Sequence, residues 1–140
     1  MPVLSLSAAD AEFVQATFDD TMALIEAARD HIADGSARHA DPAVTPRARM
    51  RASQELSRLT SRATAAISLL LLFKAVESGQ DVGVPDIPAQ MDGILADIQR
   101  PPLPSAGDEP MPESLTVLVV RAETIFERMP RLHALLRTIL

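Results

Sequence analysis

The chain has no cysteine, no tryptophan and no tyrosine, and aromatic residues make up only 3% of it. The absence of cysteine excludes disulfide bonds, thiolate zinc sites and a cysteine nucleophile, and it slightly favours a reducing compartment. Residues 1–13 contain neither a basic segment nor an apolar run of signal-peptide length. We therefore predict no export signal and a cytoplasmic protein. The longest apolar run is also too short for a membrane span, which needs about 20 residues.

Basic residues are scarce as well. The 13 lysines and arginines face 19 aspartates and glutamates, which gives a net charge of -6. Nucleic-acid binding through counterion release needs clustered basic residues, so no nucleic-acid partner is expected. A Gly-rich phosphate loop, a GxSxG elbow and an HExxH motif are all missing from the sequence. These absences predict a non-enzymatic protein that uses no cofactor.

The few residues suited to chemistry are scattered. The histidines, at 31, 39 and 133, have no second histidine or carboxylate at a recognised ligand spacing. We therefore predict no metal site and expect these rings to be solvent exposed. Asp19 and Asp20 are neighbours on a helix and point about 100° apart, so they are interpreted as a solvated acidic face and not as a catalytic pair.

Alanine and leucine are abundant, and the apolar residues recur at the helical period. A first helix is predicted over about 8–34, with the Ser7 hydroxyl as its cap and Gly35 as its stop. Its outer face is strongly acidic. At 140 residues the chain is long enough for one hydrophobic core, so a single domain covering 1–140 is expected.

A second, unusually long helix is predicted over about 46–78. Thr45 is its cap, Pro46 occupies the first helical position and Gly79 follows its end. A stripe of small hydroxyl residues would let another helix approach closely: Ser53, Ser57, Ser61, Thr64 and Ser68. A separate stripe carries the arginines Arg47, Arg51, Arg58 and Arg62, and apolar residues continue it further along the helix.

Residues 79–112 hold seven of the eleven prolines and read mainly as a connection, with a possible short surface helix over 88–98. A third helix is predicted over about 112–139. Pro130 removes a backbone hydrogen bond there, so a kink or break is expected before Arg131. The predicted fold is all-α: a three-helix bundle in up-down-up order with long helices.

The arginine stripe of Arg47, Arg51, Arg58 and Arg62 has two interpretations. It could balance the acidic first helix, although each exposed ion pair contributes only about 0–1 kcal/mol. Alternatively, it is a docking surface for an acidic partner. The electrostatic interpretation is favoured, and the docking interpretation stays open.

The end of the second helix is apolar almost all the way round. A helix without a polar side is expected to be buried, yet two neighbouring helices cover only about half of a third. Either a second copy of the chain or the short 88–98 helix must cover the rest. We favour a homodimer, with its interface at Leu69, Leu72, Phe73 and Val76.

Three long segments together resemble a known family. They are FVQATFDDTMALIEAARDHI, RASQELSRLTSRATAAISLLLLFKAVESGQ and LPSAGDEPMPESLTVLVVRAETIFERMPRLHALL. In this order they resemble the three helices of the bacterial RcdA family, the regulators of CtrA degradation found in alphaproteobacteria. The nearest feature is SRLTSRATAAISLLLLFKAVESG, which is similar to the family's RLTTR segment and the apolar stretch that follows it.

The resemblance implies a dimeric three-helix bundle that acts by binding. Its role would be that of an adaptor, which brings selected regulatory proteins to the ClpXP protease during the cell cycle. The protease and response-regulator-type proteins would then be its partners. The matching positions are Arg58, Leu59, Thr60 and Arg62, followed by the apolar run through Phe73.

Two other functions remain open. A bundle that binds a small apolar ligand, or that signals to a different partner, would contain a closed cavity of ligand size between its helices. A DNA-associated regulator would bind through the arginines between 47 and 62 in a salt-dependent manner, but the overall charge argues against it.

Overall fold

The computed structural model describes residues 6–38, 44–79, 86–102 and 109–140. These residues form five helices and no strand, so the all-α prediction is confirmed for the part of the chain described. The helices are α1 (Ala8–Arg38), α2 (Pro46–Glu77), α3 (Ile87–Ile98), α4 (Glu113–Phe126) and α5 (Met129–Ile139).

The start and end of α2 follow from the sequence as expected. The Thr45 hydroxyl accepts a hydrogen bond from the Ala48 amide at 3.1 Å, which satisfies one of the free donors of the first turn. Gly79 has a φ of +76°, a left-handed conformation that glycine adopts without steric cost. The predicted limits of this helix are therefore confirmed to within one residue.

The predicted stop of the first helix at Gly35 is wrong. Ser7 caps α1 as expected, since its hydroxyl accepts from the Asp10 amide at 3.1 Å. The helix then continues through Gly35 to Arg38. A single glycine costs a helix only about 1 kcal/mol relative to alanine, which is too little to end one that is already 27 residues long.

The third predicted helix is divided, as Pro130 indicated. Helix α4 ends at Phe126 and α5 begins at Met129, with a turn between them. Pro130 lies in the first turn of α5, where a missing backbone N–H leaves no intrahelical bond unmade. The break before Arg131 is therefore confirmed.

Contacts between helices fix the direction in which α1 runs. Asp10 pairs with Arg131 at 3.2 Å, and Asp20 pairs with Arg128 at 2.7 Å. As residue numbers rise along α1, the numbers of their partners at the join of α4 and α5 therefore fall. Lys74, near the end of α2, donates to a glutamine near the start of α1. Helix α1 is consequently antiparallel to α2 and to the α4–α5 pair. Helix α2 and the α4–α5 pair are therefore parallel to each other.

Helix α3 supplies the return between them. It ends beside the middle of α2, where Arg62 donates to the Ile98 carbonyl at 2.5 Å. Earlier in α3, Asp92 meets His133 and Arg137 of α5. The described helices therefore run up, down, up and down, with α4 and α5 together forming the last leg. This differs from the predicted three-helix order because the short helix is a full member of the bundle.

Helix α2 lies at the centre of the core and packs against all four other helices. Seven of the twelve residues of α3 are exposed, as expected of a surface helix, but Met91 and Ile98 on its inner face have no exposed surface at all. Full burial of such a side chain contributes about 1.5–3 kcal/mol, so α3 adds substantially to the core.

Candidate functional site

Arg62 is the most deeply placed charge in the described chain, with only 8% of its surface exposed. Its Nε–H donates to the Ile98 carbonyl, and its Nη1 lies 2.5 Å from a carboxylate oxygen of Glu123 on α4. The guanidinium also stacks 4.3 Å from the ring centre of Phe126. A planar, five-donor cation suits such a junction. Arg62 therefore fastens α2, α3 and α4 to one another.

Arg58, one turn earlier, makes a weaker version of the same junction. It donates to the Arg100 carbonyl at 2.9 Å and lies 3.8 Å from the Glu123 carboxylate. Both arginines are thus engaged within the chain, and Arg62 is too buried to meet a partner. The prediction that Arg58 and Arg62 form a docking surface is corrected: they hold the end of α3 against the bundle.

Arg47 and Arg51 keep the docking interpretation open. Arg47 is exposed and Arg51 is partly exposed, and neither forms an ion pair with any residue in the described ranges. The Nε atoms of Arg51 and Arg58 are both buried without a hydrogen-bond acceptor among the described residues, so any contact that Arg51 makes with a partner must use its terminal nitrogens. Only these two members of the predicted stripe are available to an acidic partner.

The favoured electrostatic interpretation of the stripe is also corrected. The acidic helix α1 forms its ion pairs with Arg128 and Arg131, near the join of α4 and α5. Arg131 lies 4.0 Å from the ring centre of Phe13 as well, so it packs on the apolar side of α1. Within the described residues, the α2 arginines that form ion pairs do so with Glu123.

The apolar end of α2 is covered by the chain itself. Leu69 and Phe73 have no exposed surface, Leu72 is buried, and Val76 is partly buried. Leu69 and Phe73 therefore cannot form part of the predicted dimer interface, because they have no accessible surface for a second copy to contact. Leu72 retains 8% of its surface and Val76 rather more. The alternative, coverage by the short helix, agrees with the packing of α3 on this helix.

The side of α2 that lies opposite Leu69 and Phe73 faces solvent and carries no charged residue. We call this surface the outer stripe; its members are all exposed, and they are Ser53, Ser57, Ser61, Thr64, Ser68 and Leu71. At 1.5 Å per residue it extends for about 27 Å. It includes every member of the small hydroxyl stripe predicted from the sequence.

Part of the outer stripe is less polar than its sequence indicates. The Thr64 hydroxyl donates to the Thr60 carbonyl at 2.8 Å, and the Ser68 hydroxyl donates to the Thr64 carbonyl at 3.0 Å. Such bonds use the hydroxyl protons within the helix and leave the methyl and methylene groups outward. Leu71, which is 52% exposed, continues this surface toward the end of α2.

His133 forms a polar cluster that spacing along the chain did not reveal. Its Nε2 lies 2.7 Å from Asp92, and Arg137 contacts both oxygens of the same carboxylate at 3.0 Å. Hydrogen bonds from Arg137 and then from His133 hold the pKa of the Asp92 carboxyl below its ordinary value of 3.8. The predicted solvent exposure of His133 is wrong, and 41 residues separate it from its partner.

The remaining sequence predictions concern metals, cavities and membranes. No group of three or more metal-ligating side chains occurs in the described ranges, and His39 lies outside them. A shallow cleft, open to solvent and with room for about one water molecule, lies between α2 and α4 beside Arg58 and Arg62. By length and composition α2 could cross a membrane, but 44% of its most apolar window is buried, as in the core helix of a soluble protein.

The sequence matches a protein-family model. A family described as "Protein of unknown function (DUF1465)" matches residues 6–139, nearly the whole chain. No curated protein and no solved structure matches significantly.

Proposed function

We propose a function for this chain, which belongs to the DUF1465 family of proteins of unknown function. It is a non-enzymatic protein-interaction module of the cytoplasm. Its role is that of an adaptor, as the resemblance to the RcdA family implies. It would deliver regulatory proteins to the ClpXP protease in cell-cycle control. The observation that carries this proposal is the outer stripe of α2, a long exposed surface without a charged residue.

The outer stripe supports a homodimer. Surfaces that meet across a two-fold axis must be complementary to themselves, and an uncharged stripe of small residues meets that condition without placing like charges together. Small side chains also let two helix axes approach closely. The second copy would therefore pack along the stripe, on the side of α2 opposite Leu69 and Phe73.

Replacement of Thr64 by arginine is expected to separate the dimer. A long cation in the middle of the stripe would meet its own copy across the two-fold axis and keep the helices apart. Light scattering after size exclusion should give twice the 15.1 kDa chain mass for the wild type and the single mass for Thr64→Arg.

Thr124→Arg is the matched control, since Thr124 is exposed and its hydroxyl likewise bonds to its own helix. It should leave the mass at the dimer value. A wild type that elutes with the single mass at micromolar concentration contradicts the dimer.

Arg47 and Arg51 are the proposed contacts for an acidic region of a partner. Affinity capture from the native cell should recover ClpX, ClpP or a response regulator with the wild type. Joint replacement of both arginines by alanine should lower that recovery about fivefold, because exposed charge pairs contribute about 0–1 kcal/mol each.

A control with the same change in net charge replaces Arg29 and Arg121, which are exposed on α1 and α4. It should bind like the wild type. Recovery of neither protease subunit nor response regulator by the wild type would overturn the adaptor proposal. A regulatory bundle with a different partner would then be the better interpretation.

A further inference from the structure

We propose that α3 is a displaceable cover. It detaches from α2 and α5 as a unit while α1, α2, α4 and α5 stay folded, and the groove that it uncovers binds an amphipathic helix of a partner protein. The detachment is a property of this chain alone. The identity of the incoming helix as a partner's rests on the proposed interaction function.

The groove can be traced from the contacts of α3. Its last residue, Ile98, lies at Arg62, and the helix runs back along α2 for 12 residues, or about 18 Å. Leu69 lies seven residues beyond Arg62 and so on the same side of α2, with Phe73 one turn further. These two side chains therefore lie along the path of α3, which also packs against α5.

Helix α3 shows which chemistry the groove accepts. Its inward residues are Ile87, Met91, Ile94, Leu95 and Ile98, of which Met91 and Ile98 are fully buried and the others partly buried. Successive inward residues are three or four positions apart, which is the spacing of a helix that lies in an apolar groove. A replacement helix needs apolar side chains at the same spacing.

The polar contacts at the rim are ones that another helix can reproduce. Arg62 and Arg58 bind the backbone carbonyls of Ile98 and Arg100, and any helix that ends there offers equivalent carbonyls. Farther along, His133 and Arg137 hold a single carboxylate, that of Asp92. The groove is thus apolar with a cationic rim, and it fits a helix with one acidic residue in the middle.

Helix α3 is also weakly held together by itself. It has 12 residues, and isolated helices of that length are marginal in water. Gly93 lies in its interior, although a Cβ built there meets no atom within 4 Å, so no close approach requires glycine. Residues 78–86 and 99–112 separate it along the chain from α2 and α4. Local helix propensity therefore contributes little to the stability of α3, and its packing against α2 and α5 holds it in place.

Native-state hydrogen exchange on the purified full chain tests the opening. Amides of residues 92–98 should exchange at least tenfold faster than those of residues 62–73 in α2, through an opening that low urea concentrations do not accelerate. Gly93→Ala should slow that exchange about fivefold, because alanine favours the closed helix. Exchange of both segments with the same rate and the same urea dependence would overturn the proposal.

A peptide of residues 86–100 that carries Gly93→Ala tests the groove. Labelled with a fluorophore and titrated with the full chain, it should bind saturably, since it carries the anchors and the carboxylate of α3. The full-length Gly93→Ala variant should bind it about fivefold more weakly, because its own α3 remains in place more of the time.

Two altered peptides serve as controls. Replacement of both Met91 and Ile98 by serine removes the buried anchors, and Asp92→Arg places a cation against His133 and Arg137; neither peptide should bind. Equal binding of all three peptides, or no saturable binding of the first at millimolar concentration, would overturn the proposed groove. Both experiments use only the purified chain and a peptide, so failure to capture a protease would leave their outcome unchanged.

Discussion

Phe73→Ala is expected to destabilise the folded chain by about 3–5 kcal/mol, as measured by urea denaturation at equilibrium. Phe73 has no exposed surface, and its loss would leave a cavity where α2 is covered by its own chain. Small domains are stable by only about 5–15 kcal/mol, so the variant should have lost a fifth or more of its stability.

The same helix offers a control two residues away. Leu71 is 52% exposed on the outer stripe, and Leu71→Ala should cost the single chain less than about 1 kcal/mol. The cost of Phe73→Ala should not depend on protein concentration, since its surroundings lie within one chain. A cost that vanishes on dilution would instead place Phe73 in an interface between copies and contradict the packing described here.

Arg62→Met is expected to cost about 2–3 kcal/mol. The substitution keeps the apolar stem of the side chain but leaves the Ile98 carbonyl and the Glu123 carboxylate without their shared donor. The cost stays below that of a fully buried ion pair because the Glu123 side chain is 44% exposed and water can reach it. Urea denaturation at neutral pH measures the change.

Two further variants show whether geometry or charge is responsible. Arg62→Lys should lose nearly as much stability, since one ammonium cannot serve the carbonyl and the carboxylate in the same fork. Arg47→Met, on the exposed start of the helix, should remain within about 0.5 kcal/mol of the wild type. Equal effects at positions 47 and 62 would show that the junction adds nothing beyond its charge.

The features that sequence reasoning predicts well here are local ones. The Thr45 cap, the glycine after α2 and the break at Pro130 each depend on residues within one turn, and all three are confirmed. Gly35 failed as a stop because its weak preference was opposed by a long amphipathic helix on its N-terminal side. Local preference decides where nothing larger competes with it.

The order of the helices could not be predicted because it depends on a short and locally weak element. Periodicity found the segment that becomes α3, but glycine and proline in it indicated a surface position. What buries it is packing against both α2 and α5, and α5 begins 31 residues after α3 ends. Tertiary contacts of this kind outweigh local propensity. They explain why the bundle has four antiparallel segments and not the three that were predicted.

The sequence did contain one signal for the arginine junction. Arg58 and Arg62 share one side of α2 with Leu69 and Val76, so the basic stripe and its apolar continuation form one surface. The structure seats α3 along that surface, with its terminal carbonyls at the arginines. The point at which arginines give way to apolar residues along α2 is also the point beside which α3 ends. The carbonyl acceptors lie 36 residues from Arg62 and 42 residues from Arg58 along the chain, and no sequence-spacing rule predicts contacts that distant.

The pairing of α1 with the far end of the chain has a consequence during protein synthesis. Asp10 and Asp20 meet Arg131 and Arg128, their partners across more than 100 intervening residues. At roughly 5–20 residues per second, α1 leaves the ribosome on the order of ten seconds before those arginines do. During that interval α2 and then α4 are the helices that pack against α1. The final fold therefore closes only when translation is almost complete, and a nascent chain stalled before α5 would expose the surface that α1 presents to it.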